Sequence, residues 1–258
     1  MKTILYVLKI NTVEHKRHLH YVGRPLGRQA AQKSEVVVIS KLPRWVEYGA
    51  FILAFVAGLI NAIGLLGFKH QSISHLSGIA TSLGTSLIDA PFLDSFNLAM
   101  ILLSFLFGAA ISGSFLRSGS LRLGRNYSFL LVIEALLLIL SVFFLTSDSM
   151  GGHYLASAAC GLQNALVTRF SGAVVRTTHV TGIFTDLGLM LGARLRGEKF
   201  DVRKAFLFIL IVSGFISGGT LGAVLFPIMY FNALFIPAGI CLLLALAYAI
   251  YTSKVGRI

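Results

Sequence analysis

Six stretches of the chain are apolar for long enough to cross a bilayer, and polar or basic links separate them. They cover about 46–67, 97–116, 128–147, 152–169, 204–226 and 230–251, each close to the ~20 residues a helix needs to span the hydrocarbon core. Two more stretches, 75–90 (HLSGIATSLGTSLIDA) and 179–193 (HVTGIFTDLGLMLGA), are shorter and rich in Ser, Thr and Gly. Counted as spans they make eight crossings; counted as partial insertions they leave six. Either count predicts an all-α polytopic membrane protein.

Composition agrees with that reading. Of 258 residues, 56% are hydrophobic and 12% charged, against about 25% charged in soluble domains, and mean hydropathy is +0.82. The net charge is +12. Residues 1–45 contribute +7 of it, from nine Lys/Arg against Glu14 and Glu35, and residues 46–258 contribute +5, from thirteen Lys/Arg against eight acids. Basic residues bunched at span ends set orientation, so the charge points to topology, with the lipid bilayer as partner, rather than to nucleic acid. Six crossings with a cytoplasmic N-terminus put Arg117, Arg122, Arg125, Arg169, Arg176, the Arg194–Lys204 cluster, Lys254 and Arg257 inside. Asp89, Asp94 and Asp148 then lie outside, and Lys69 is the exception. Eight crossings reverse the 117–125 arginines, so six is the expected count.

The chain also resembles itself at an offset of 103–105 residues. Gly58-Leu59-Ile60-Asn61-Ala62 matches Gly161-Leu162-Gln163-Asn164-Ala165, and HLSGIATSLG from His75 matches HVTGIFTDLG from His179 at six of ten positions. Ile111-Ser112-Gly113 matches Ile216-Ser217-Gly218. Three spans and one partial insertion per copy turn the second copy upside down, the inverted repeat of many transporters and channels, whose site lies at the midplane between repeats. The expected organisation is a basic, poorly ordered cytoplasmic tail over 1–45, a first repeat over 46–150, a second over 151–252, and a cytoplasmic end over 253–258.

The repeated H-x-[ST]-G motif reads as the start of a short helix, with Ser74 and Thr178 placed to cap it and Gly78 and Gly182 permitting close backbone approach. A helix N-terminus inside a membrane offers free N–H donors and positive potential to an anion or polar solute. The expected solute-binding set is therefore His75, Ser77, Gly78, Thr81, His179, Thr181, Gly182, Thr185 and Asp186, with Asn61 and Asn164. Each histidine either holds the insertion in shape or lines a pathway. Each asparagine needs a partner in apolar surroundings, so it clamps the adjacent insertion or ligates solute. Glu134 and Asp186 are ionisable at membrane depth and are the proton-coupling candidates; Glu134 has Arg169 or Arg176 as a possible counter-charge. Those arginines are anchors or anion attractors.

Small residues at four-residue spacing (Ala54, Gly58, Ala62; Ser157, Gly161, Ala165; Ala109, Gly113; Gly214, Gly218, Gly222) read as close-packing helix faces and as a route to a homodimer. His15, His18 and His20 read as solvated; Cys160 and Cys241 fall inside apolar runs and say nothing of redox compartment, and no structural disulfide is expected. No phosphate loop, HExxH, GxSxG or CxxC occurs, so no enzyme activity, cofactor or metal is expected. The leading functional reading is a transporter or channel for a small polar or anionic solute. The alternatives are a membrane-embedded enzyme on a lipid-soluble substrate, and a non-transporting scaffold or sensor.

The run GLQNALVTRFSGAVVRTTHVTGIFTDLG, with the earlier AGLINAIGLLGF and HLSGIATSLG, resembles the YoaK-like family of uncharacterised bacterial membrane proteins over about residues 46–252. The resemblance implies a six-span inner-membrane protein and brings neither substrate nor catalytic residues. The family often has Met-Thr-Gly-Asn where this chain has Leu76-Ser77-Gly78-Ile79, so no role of that Asn carries over.

Overall fold

A computed structural model describes residues 44–67, 70–116, 125–170 and 176–255. Nearly all of the 1–45 tail, Lys69, Arg117, Arg122 and Arg257 lie outside these residues. The described residues form eight α-helices: α1 Arg44–Leu66, α2 Leu76–Asp89, α3 Phe92–Phe115, α4 Arg125–Leu145, α5 Gly151–Phe170, α6 Val180–Leu195, α7 Val202–Met229 and α8 Phe235–Val255, with a 3₁₀ turn, Tyr230–Leu234, between the last two. The expected stretches are all helical. α3 starts earlier than its apolar run because Pro91 fixes the turn before it and Asp94 suits the first turn. The Asp201 side chain caps α7 by accepting from the Lys204 N–H at 3.0 Å.

Among the described residues, four stretches are long and apolar enough to cross a membrane: Glu47–Leu66, Phe92–Phe115, Asn126–Leu145, and the 52 residues Val202–Ser253 that hold α7, the 3₁₀ turn and α8. Outward faces are apolar too, with Leu103, Leu106 and Phe107 of α3 and Leu243 and Leu246 of α8 exposed. A helical bundle with an oily exterior fits a polytopic membrane protein. α5 is less apolar, and its residues from Gly152 to Gln163 are almost all buried.

Pairs of contacts give the helix directions. Residues at Gly214, Gly218 and Gly222 of α7 lie against Phe51, Phe55 and Leu59 of α1 in ascending order, so these helices are parallel. α3 and α5 are parallel as well: the Tyr154 hydroxyl donates to Asn97 (2.6 Å), the Ser157 hydroxyl donates to the Ile101 carbonyl (2.9 Å), and Gly161 lies on the Phe105 carbonyl. α4 and α8 are antiparallel, with Tyr127 against Tyr248 (ring centroids 4.7 Å apart) and Glu134 beside Cys241. One apolar cluster joins the first halves of α1, α4 and α7 to the later parts of α5 and α8. The other joins the later parts of α1 and α4 to the first half of α5, the 3₁₀ turn and the start of α8. The six long helices thus alternate in direction along the chain.

The two short helices break that alternation. After α1 the chain doubles back, so that Ile73 and Gln71 lie against Gly64 and Ser74 reaches Asn61. α2 then runs outward antiparallel to α3, with Ile79 among Leu98 and Ile101 and the Ser86 and Ser95 hydroxyls 2.9 Å apart. α6 likewise leads back to the end at which α7 begins, its Ile183 packed with Leu207 and Phe208.

The repeat match between α3 and α7 is corrected by the packing. Gly113 meets nothing within 4 Å, whereas Gly218 lies on the Phe55 carbonyl. The residue of α3 in a matching position is Gly108, which lies on the Ala158 carbonyl. Phe105–Gly108 therefore corresponds to Phe215–Gly218, and the shared Ile-Ser-Gly is out of register.

Candidate functional site: a cavity between two histidine-led helices

His75 and His179 are the residues immediately before the first turns of α2 and α6, and neither side chain caps its helix. The first intrahelical bonds are Ile79 N–H to His75 O (3.1 Å) and Ile183 N–H to His179 O (3.2 Å), so the amides of residues 76–78 and 180–182 have no acceptor in their own helix. A Cβ at Gly78 would collide with the His75 ring, and one at Gly182 with the His179 ring. The glycine three places on is what lets each imidazole fold over the first turn.

Both helix starts open on one cavity of about 720 Å³, whose walls include Ser74, His75, Ser77, Asn164, Thr168, Arg169, Arg176, Thr178, His179 and Thr181. Phe105, Ala109 and Gly113 of α3 form an apolar side. No Asp or Glu belongs to the described walls. The cavity is lined by donors and by two guanidinium groups, a setting that favours negative charge or a polar solute over a cation.

A profile of the DUF1275 family, described as proteins of unknown function, matches residues 49–247. The chain belongs to the DUF1275 family. The matched segment contains both short helices and every wall of the cavity. No curated protein and no solved structure matches the chain.

In this DUF1275 chain the cavity brings together His75, Ser77, Asn164, His179 and Thr181 of the expected set. Asn61 stands behind the wall: its Oδ1 accepts from the Ser74 N–H (3.0 Å) and hydroxyl (3.1 Å). That bond corrects the capping role expected of Ser74, whose hydroxyl is turned to Asn61 and away from the α2 amides. Thr178 lines the cavity. Thr81 and Thr185 are off the walls, each hydroxyl donating back along its own helix at 3.0 Å, to Ser77 O and Thr181 O. Asp186 is half-buried on α6 and also off the walls.

Glu134 is fully buried in α4, near Tyr127, Cys160 and Cys241. It forms no ion pair among the described residues, so the pairing with Arg169 or Arg176 is corrected: both arginines are on the cavity, while Glu134 is in the core. Sequence reasoning passed over Gln163, fully buried with its amide donating to the Leu53 carbonyl, and Gly108. Gln163 had a signal in the apolar run around it; Gly108 had none once the Ile-Ser-Gly match was accepted.

Proposed function

We propose that this protein is a transporter or channel for a small polar or anionic solute, with its site in the cavity between the two histidine-led helices. The cavity carries the reading: about 720 Å³ walled by hydroxyls, an amide, imidazoles and guanidiniums, inside a bundle whose exterior is apolar. Unpaired backbone donors are tolerated at membrane depth only where protein covers them or a water-filled space meets them. Helix-start amides and arginines would draw an anion in, and the hydroxyls would replace part of a solute's hydration shell. Glu134 and Asp186 lie off the walls, so neither touches a solute held there.

The same reading takes the six long helices as crossings and the two short ones as insertions that leave and return on one side. Alternating directions support it, and so does the burial of α5, whose His153, Ser157 and Gln163 are fully buried. It also takes the two halves as inverted copies, supported by the exchange of partners: α1 of the first half lies on α7, and α5 of the second lies on α3. Arg194, Arg196, Lys199, Arg203 and Lys204 gather where α6 ends and α7 begins. By the positive-inside rule that end is cytoplasmic, with both termini, in the bacterial inner membrane.

The test is flux into liposomes carrying the purified full chain, with a panel of neutral and anionic solutes. Uptake above empty liposomes, blocked by Ala109→Trp and reduced by His75→Ala with His179→Ala, is the expected result. Folded, correctly inserted protein that passes no solute would overturn the reading.

A further inference from the structure

We infer that the cavity binds an oxyanion, and that Asn164 and Arg176 of the second half hold it, while Asn61 serves only to brace the chain. This rests on the transport reading above and adds the chemistry of the solute.

The two asparagines occupy matching places, in GLINA and GLQNA, yet their surroundings differ. Asn61 spends its side-chain oxygen on Ser74. Asn164 lines the cavity, and its Oδ1 is buried without a hydrogen-bond partner. An amide carries two donors and an acceptor; an oxyanion, which only accepts, is met by the donors of Asn164, and the buried Oδ1 takes no part.

Arg176 is the second observation. It is exposed on the same cavity and has no ion-pair or hydrogen-bond partner among the described residues. A guanidinium fork takes two oxygens of one anion side by side, a geometry that carboxylate or phosphate offers and a spherical halide does not. His179 and the free amides of α6 stand on the same side, and no described acid opposes them. Charge, fork and amide therefore converge from one half of the molecule.

The experiment is equilibrium binding to the purified full chain in detergent at constant ionic strength, with sodium benzoate, inorganic phosphate, sodium chloride and glycerol as separate probes. Saturable binding of benzoate or phosphate, well above chloride and glycerol, is expected, and the preferred probe tells carboxylate from phosphate. Arg176→Gln should weaken it about tenfold or more and Asn164→Ala about tenfold, the range for hydrogen bonds to a charged group. Arg176→Lys should restore part of the loss, keeping charge without the fork. Asn61→Ala should lower thermal stability and leave the affinity of the folded fraction unchanged. Glycerol binding as tightly as either oxyanion, or oxyanion binding indifferent to both Arg176→Gln and Asn164→Ala, would overturn the inference. The two failures separate cleanly. Glycerol flux without oxyanion binding sinks the inference and keeps the transport reading; Arg176-dependent oxyanion binding without flux of any solute does the reverse.

Discussion

Asn61 holds Ser74 at two points, its Oδ1 accepting the backbone N–H at 3.0 Å and the hydroxyl at 3.1 Å. The bond ties the body of α1 to the buried residue just ahead of α2. Asn61→Ala strands both donors of Ser74, a loss of about 1–3 kcal/mol, and a thermal melt in detergent should register it as a lower midpoint. An unchanged midpoint would mean that α2 is held by its contacts with α3 instead.

Gly58 lies on the Phe215 carbonyl and Gly161 on the Phe105 carbonyl, each well inside the contact distance of a Cβ. Backbone cannot rotate aside as a side chain can, so alanine at either position must push two parallel helices apart. The expected cost is about 1–3 kcal/mol or more, read as loss of the monodisperse peak on size exclusion. Gly113→Ala and Gly188→Ala, where nothing stands within 4 Å, should behave as wild type. Equal effects at both kinds of site would remove the close-packing account.

Alanine at Gly78 or Gly182 meets an imidazole rather than backbone. The ring can swing away, so stability should change by no more than about 1 kcal/mol while flux through the cavity falls. Measuring both on the same preparation separates a displaced histidine from a damaged fold.

Cysteines at Ser77 and Thr181 should react with a water-soluble maleimide, because both positions line the cavity. Cysteines at Ile79 and Ile183 should not, since those side chains are 1% and 5% exposed. The native Cys160 and Cys241 are fully buried, so mass spectrometry of folded protein should find them unmodified. Reaction at 79 and 183 as fast as at 77 and 181 would contradict the described orientation of the short helices.

Glu134 sits in the core without an ion pair among the described residues, a position that costs stability unless a carboxyl is needed there. Glu134→Met keeps the volume and removes the polar atoms. It should raise the melting midpoint, by the equivalent of about 1–3 kcal/mol, where a structural carboxyl would give a decrease.

The helices were legible because most of the long ones are apolar on their outer faces as well as their inner ones. The short helices were legible from a different signal, His75 and His179 each followed three places on by glycine, and the structure gives that spacing its cause in the folded imidazole. The different surroundings of Asn61 and Asn164 were not legible: their five-residue contexts, GLINA and GLQNA, differ only at Ile60 and Gln163, and the tertiary position of Ser74 is what tells them apart. The register of α3 against α7 was misread for a related reason. Ile111–Gly113 repeats three letters, but contact is decided by which glycine faces a neighbouring carbonyl, and that depends on where each helix starts.

Parallel packing of α1 on α7 also sets a timetable for biosynthesis. Glu47 and Arg203, joined at 3.0 Å across the starts of these helices, are 156 residues apart. At a synthesis rate of about 5–20 residues per second, the groove of α1 that receives the α7 glycines waits about 8–30 s for its partner. During that interval the first half is incomplete, and it needs either lipid or an insertion factor against the groove. A chain released after α4 would keep that groove open permanently, and cellular quality control would meet it as an orphan.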